Sequence, residues 1–120
     1  MIGKTNVKTE IHSSPTIVNG RFVNNNSSAI GAQTYNLFTA PAYKYTLKLA
    51  FYADTLGSNT AYLQANGVNI VQLHSAWNNR QGSVTVQSSS IPAGATVRVY
   101  IDGLKANASA AYAGALYQVN

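Results

Sequence analysis

Residues 44–54 read KYTLKLAFYAD, and apolar side chains occupy every second position from Tyr45 to Ala53. A period of two places successive side chains on opposite faces of a strand, so this segment predicts a strand with one buried face. Residues 96–102, TVRVYID, repeat the pattern. Two such segments indicate antiparallel strands that turn one face to a core and the other to the surface.

A hairpin is predicted between these two strands, at Asn66-Gly67. Both central positions of a type I′ turn need φ > 0, which Asn and Gly tolerate best. In a regular ladder this turn pairs Ala65 with Val68 and Leu63 with Ile70.

The remaining strands are predicted where β-branched and aromatic residues lie between clusters of Gly, Pro, Asn and Ser. They are residues 16–23, 34–39, 83–88 and 111–119, with a short additional strand at 7–12. Alanines in 106–115 favour a helix, but the flanking tyrosines and the closing Leu116 and Val119 favour a last strand. Seven to eight strands at this spacing predict an all-β fold, an antiparallel β-sandwich of the jelly-roll type, as a single domain over residues 1–120.

The surface is expected to be unusually poor in charge. Charged residues make up 9% of the chain, against roughly 25% in ordinary globular proteins. The net charge of +5 reflects the scarcity of acids, which are Glu10, Asp54 and Asp102, rather than a basic cluster. Neutral polar surfaces of this kind are commoner on extracellular, fibrous and virion proteins than on cytosolic enzymes, because packed copies need not desolvate long charged side chains.

Residues 1–14 contain no apolar stretch of the length that a secretory signal requires, and no run in the chain approaches the roughly 18 apolar residues of a membrane span. We therefore expect a chain made in the cytoplasm, without a signal peptide and without a membrane partner.

Catalytic groups are scarce. The chain has three carboxylates and two histidines, far apart in sequence, and no serine lies in a nucleophile-elbow pattern. His12 and His74 have no partner at metal-ligand spacing, and cysteine is absent, which excludes disulfides and thiolate sites. We expect no catalytic residue, no metal and no cofactor, although His12, His74, Asp54 and Asp102 still allow a triad with some serine.

The densest cluster of potential ligand-binding side chains lies in a predicted polar loop that contains the single tryptophan. An exposed indole stacks on the face of a sugar ring while amides bond its hydroxyls, so this loop is a candidate glycan site. The alternative is that the tryptophan packs at the end of the core or in a neighbouring subunit, since aromatic anchors are equally enriched at interfaces. The candidate residues are Trp77, Asn78, Asn79 and Arg80.

A second candidate surface combines outward tyrosines with basic residues. Tyr52 and Tyr100 occupy outward positions of the two best-defined strands, and Lys44, Lys48 and Arg98 lie near them in sequence. Subunit packing is the favoured interpretation, because tyrosine buries a large area at a small entropy cost. Stacking of single-stranded nucleic-acid bases is a further hypothesis, which lacks any signature motif of a nucleic-acid fold.

Four segments in order resemble a known family. They are FTAPAYKYTLKLAFYAD (38–54), TAYLQANGVNI (60–70), SSSIPAGATVRVYID (88–102) and AYAGALYQV (111–119). Their turns and alternation are similar to the small β-sandwich domains of tailed-bacteriophage virion proteins, of the head-decoration, head-fibre and tail-associated types. The resemblance covers roughly residues 34–119.

This resemblance implies a non-enzymatic structural or attachment role in the virion, homo-oligomers that are often trimers, contacts with other virion proteins and no cofactor. Residues 1–14 would then be a docking arm. The alternative hypothesis is a carbohydrate-binding or host receptor-binding module that uses the Trp77 loop to bind host surface glycans. The third is single-stranded nucleic-acid binding through Lys44, Lys48, Tyr52 and Arg98.

Overall fold

The structure is a computed structural model, and it describes residues 15–53, 60–74 and 81–119. The described residues form eight strands and one short 3₁₀ helix, Ser88–Ser90. No helix among them is long and apolar enough to cross a membrane. The strands are β1 (Thr16–Val23), β2 (Gln33–Thr39), β3 (Tyr45–Ala53), β4 (Ala61–Ala65), β5 (Val68–His74), β6 (Gln81–Gln87), β7 (Thr96–Ile101) and β8 (Ser109–Gln118).

The strands form two four-stranded antiparallel sheets, sheet I in the order β1-β8-β3-β6 and sheet II in the order β2-β7-β4-β5. Four of the pairs are nested around the β4–β5 hairpin: β4 with β5, β3 with β6, β2 with β7 and β1 with β8. A long hairpin rolled up in this way is a jelly roll. The predicted fold class, an antiparallel β-sandwich of the jelly-roll type, is confirmed.

The strand quoted first, β3, lies inside sheet I between β8 and β6. Its burial alternates strictly, and Tyr45, Leu47 and Leu49 are at most 1% exposed. Each such leucine contributes roughly 1.5–3 kcal/mol relative to an exposed position. The second patterned strand, β7, has the corresponding place in sheet II between β2 and β4. The two strands with the clearest period of two are therefore central strands.

The β4–β5 turn has the predicted geometry, with φ of 50° at Asn66 and 81° at Gly67. Ala65 pairs with Val68, as expected. The next predicted pair is wrong, because Leu63 lies opposite Val71 rather than Ile70. An extra residue in β5 shifts the register there and forms a β-bulge.

A second register shift follows near the end of β5, where Ala61 pairs with His74 and Tyr62 with Gln72. Leu73 is the extra residue, and both Leu73 and His74 are buried. Because β5 is an edge strand, its bulges also hinder the addition of a further strand.

The alanine-rich C-terminal segment is a strand, as predicted, and β8 lies between β1 and β3 rather than at an edge. A Cβ atom on Gly114 would overlap the backbone carbonyl oxygen of Lys48 and lie 2.8 Å from the Cα of Leu49. The backbones of β8 and β3 therefore approach so closely at this point that only glycine fits.

The loop after β1 is anchored by the buried side chain of Asn24. Its Nδ2 group donates to the carbonyls of Ser28, Leu104 and Lys105 at 3.0, 3.2 and 2.9 Å, and its Oδ1 atom accepts the N–H of Asn26 at 3.0 Å. One amide thus satisfies carbonyls of two different loops, which fixes the end of the sandwich where the β1–β2 and β7–β8 connections meet. The docking arm expected at 1–14 and the strand expected at 7–12 lie outside the described residues.

Candidate functional site

The Trp77 loop joins β5 of sheet II to β6 of sheet I. Its four candidate residues, Trp77, Asn78, Asn79 and Arg80, lie outside the described residues. The glycan-binding and packing interpretations of this loop both stay predictions.

The other five candidates are divided between the two outer faces of the sandwich. Lys44, Lys48 and Tyr52 belong to the outside of sheet I, whereas Arg98 and Tyr100 lie on the outside of sheet II. The division follows from the topology, because β3 and β7 belong to different sheets and each turns alternate side chains away from the shared core. The four residues expected to bind nucleic acid together are thus not brought to one surface.

The middle of the outside of sheet I carries a row of small side chains. Register places Ala113 opposite Ala50, with Asn19 and Ser83 completing the row across all four strands. The next row contains Ala111. Larger apolar groups project around these rows, with Ile17 68%, Val23 48% and Tyr52 46% exposed. We call this surface the alanine face, and it consists of Ile17, Asn19, Arg21, Val23, Ala50, Tyr52, Ser83, Ala111 and Ala113.

A groove of about 640 Å³ lies at one end of the same sheet. We call it the lysine groove, and it is lined by Lys44, Thr46, Lys48, Gln87, Ser88, Ser89 and Val119. Lys48 and Thr46 are outward residues of β3, and Gln87 lies directly opposite Thr46 on β6. Sequence reasoning identified the two lysines but missed Gln87 and Ser89, because their proximity depends on the pairing of β3 with β6.

Hydrogen bonds fix the polar groups of the lysine groove. The hydroxyl of Thr46 donates to Oε1 of Gln87 at 3.0 Å. Oγ of Ser88 accepts the backbone N–H of Tyr45 at 3.1 Å. The Nζ atom of Lys48 lies 5.7 Å from the ring centroid of Tyr117, a cation–π distance.

The outside of sheet II is polar and internally bonded. Nε of Arg98 donates to Oε1 of Gln64 at 2.9 Å, and Nε2 of Gln64 donates to Oδ1 of Asn69 at 2.9 Å. This row crosses β7, β4 and β5, and in the adjacent row Tyr62 is paired with Tyr100. The row holds the bulged edge strand against its neighbour and orients the arginine.

His74 is a core residue and not an accessible base. It is 1% exposed, its Nε2 atom lies 2.9 Å from the hydroxyl of Tyr112, and its ring stacks on that of Tyr112. Burial lowers the pKa of His74 to about 4, although the Asp102 carboxylate opposes this shift, and burial raises the pKa of Tyr112. The imidazole is therefore neutral near pH 7. The carboxylate of Asp102 accepts the backbone N–H of Thr60 at 2.8 Å.

Metal ligands are not gathered within the described ranges, where no group of three or more His, Cys, Asp or Glu side chains occurs. Of the four groups considered for a triad, His12 and Asp54 lie outside those ranges. The described candidate residues lie on the two outer faces and in the lysine groove.

Comparison with known proteins gives structural similarities alone, since the sequence matches no protein-family model and no curated protein. The fold is similar to a chain from Bacillus endospore appendages, which form disulfide-linked pili, with 17% identity, a TM-score of 0.46 and coverage of 97% of this chain and 100% of that one. It is also similar to a chain of infectious bursal disease virus, Gx strain, with 13% identity, a TM-score of 0.32 and coverage of 99% and 41%.

Both TM-scores lie below 0.5, so these similarities assign neither a family nor a function to this chain. The disulfides named for the pilus have no counterpart within these 120 residues, which contain no cysteine.

Proposed function

We propose that this chain is a non-enzymatic structural protein whose sandwich associates with further copies of itself through the alanine face. The observation that carries the proposal is the row of small side chains Asn19, Ala113, Ala50 and Ser83 across sheet I, with exposed apolar groups around it. Small side chains let a second sheet approach closely over a wide area.

The charge distribution supports association on this face. Arg21 is the one charged member of the alanine face. Lys48 lies beside this face, in the row that contains Ile17. Burying Ile17, Val23 and Tyr52 against another copy removes apolar surface from water at roughly 25 cal/mol per Å² and desolvates few charges. The low overall charge of 9% agrees with a protein that packs side by side with its neighbours.

The setting that we propose is a virion, with the chain as a capsid-decoration or tail-associated component of a tailed bacteriophage. The order of turns in residues 34–119 supports it, as does the charge-poor composition. Trimers, contacts with other virion proteins and a docking role for residues 1–14 belong to the same proposal.

The oligomeric part is tested by light scattering after size-exclusion chromatography. We expect the wild type to elute at micromolar concentration with a mass that is a multiple of the 12.7 kDa monomer. Ala113→Lys puts a charge in the middle of the alanine face, at an exposed position that leaves the core untouched. We expect this variant to dissociate at a concentration at least tenfold higher than the wild type, because a buried, unpaired ammonium weakens the interface.

Thr34→Lys is the matched control, since Thr34 is exposed on the opposite sheet. It should leave the mass unchanged. A monomeric wild type at tens of micromolar, or equal masses for Ala113→Lys and the wild type, would rule out association through this face.

A further inference from the structure

The lysine groove combines two cationic side chains with neutral polar groups. Lys44 and Lys48 are exposed, and no carboxylate is found among the residues that line the groove. Each ammonium group carries three donors and no acceptor. A groove of this composition is complementary to an anion.

The neutral side chains of the groove add further hydrogen-bond donors for an anion. Oε1 of Gln87 already accepts the hydroxyl of Thr46, and the NH₂ group of the same amide offers donors to a ligand. Oγ of Ser88 accepts the N–H of Tyr45, which leaves the hydroxyl proton of Ser88 for a further acceptor. Two ammonium groups, an amide NH₂ group and a serine hydroxyl thus belong to residues that line one groove.

The shape and lining of the groove distinguish between classes of anion. Nucleic-acid binders stack bases on free aromatic faces. The groove lining contains no aromatic ring, and the nearby ring of Tyr117 is covered by Lys48. Val119 is the one apolar side chain of the lining, which offers little to a peptide. A sugar that bears an acidic group needs neither an aromatic face nor an apolar lining, because hydroxyl, amide and ammonium groups suffice to bind it.

We propose that the lysine groove binds a carboxylated or sulfated glycan, with Lys44 and Lys48 on the acidic group and Gln87 and Ser88 on neighbouring sugar oxygens. The volume of about 640 Å³ lies within the roughly 300–1,000 Å³ of small-molecule sites. The lysine groove shares no residue with the alanine face, so failure of one proposal leaves the other standing.

Calorimetric titration tests the proposal with four probes at low ionic strength: a heparin-derived tetrasaccharide, an oligogalacturonate, maltotetraose and an oligothymidylate. We expect binding of the sulfated or the carboxylated oligomer and none of neutral maltotetraose. The double variant Lys44→Gln/Lys48→Gln should weaken that binding at least tenfold, because it removes two charge-assisted hydrogen bonds.

The control is Thr34→Glu/Lys105→Gln, which lowers the net charge by the same two units at exposed residues outside both the groove and the alanine face, and should change the affinity less than twofold. Gln87→Glu should weaken binding as strongly as the double lysine variant, because it puts a carboxylate beside the ligand. Equal losses in the two double variants would show that net charge alone attracts the glycan and would overturn the proposal. Tighter binding of the oligothymidylate than of either acidic glycan would overturn it in favour of nucleic acid.

Discussion

The imidazole of His74 is enclosed by the rings of Phe51 and Tyr112, with centroids 5.8 and 6.2 Å away. Its Nδ1 atom is buried and has no hydrogen-bond partner among the described residues. A protonated imidazole would need partners for two N–H groups in this apolar space, so the fold keeps the ring neutral.

We expect the stability of the fold to depend on this histidine below neutral pH. The folded-state pKa is about 4 and the unfolded value about 6.5, so the unfolded chain binds more protons between these two values. The contribution of His74 to the free energy of unfolding should therefore be constant above about pH 7 and fall as the pH drops from 6.5 towards 4, by about 3 kcal/mol in all.

Urea unfolding at a series of pH values from 4 to 8 measures this slope. His74→Phe keeps an aromatic ring at the position and should remove most of the slope, although Tyr112 then loses its partner and the variant is less stable near pH 7. An unchanged slope in His74→Phe would assign the pH dependence to other groups.

At the scale of the elements, the contact between β8 and β3 depends on Gly114. We expect Gly114→Ala to destabilise the protein by about 3 kcal/mol or more, because the new methyl group meets the Lys48 carbonyl and the Leu49 Cα atom in the middle of sheet I. The backbone cannot move away without breaking ladder hydrogen bonds on both sides of β8. Chemical denaturation of the two proteins measures the difference.

Gly31→Ala is the matched control, because no atom lies within 4 Å of a Cβ built there. It makes the same change in the unfolded chain and should be neutral or stabilising by up to roughly 1 kcal/mol. Similar midpoints for the two variants would contradict the close approach of β8 and β3.

Local pattern was enough to predict the strands themselves. Alternation in β3 and β7 fixed their buried faces, and Asn66-Gly67 fixed the β4–β5 turn. The bulges in β5 were not predictable from local pattern, and the second one places both Leu73 and His74 in a core built by distant strands.

The candidate surfaces were predictable only in part, for the same reason. Sequence alternation showed that Lys48 and Tyr52 point outward. It could not show that Arg98 lies on the other side of the molecule, or that Gln87 lies beside Thr46. Both facts follow from pairing between strands that are far apart in the chain.

For the whole molecule, the nested pairing makes the last strand indispensable. β8 hydrogen-bonds to both β1 and β3, so a chain that ends after Ala108 loses the middle of sheet I. We expect this truncated chain to show no cooperative unfolding transition, measured by near-ultraviolet circular dichroism during heating.

A chain that begins at Pro15 is the control for this truncation. It keeps all eight described strands and should unfold cooperatively. Cooperative unfolding of the chain that lacks β8 would contradict the central role of that strand.

The pairing of Thr16 with Leu116 also has a consequence for synthesis on the ribosome. At roughly 5–20 residues per second, the first strand is synthesised about 5–20 s before its partner. During that interval the nascent chain exposes apolar side chains and unpaired backbone groups to other polysomes. Chaperone binding to the growing polypeptide would protect it until translation ends.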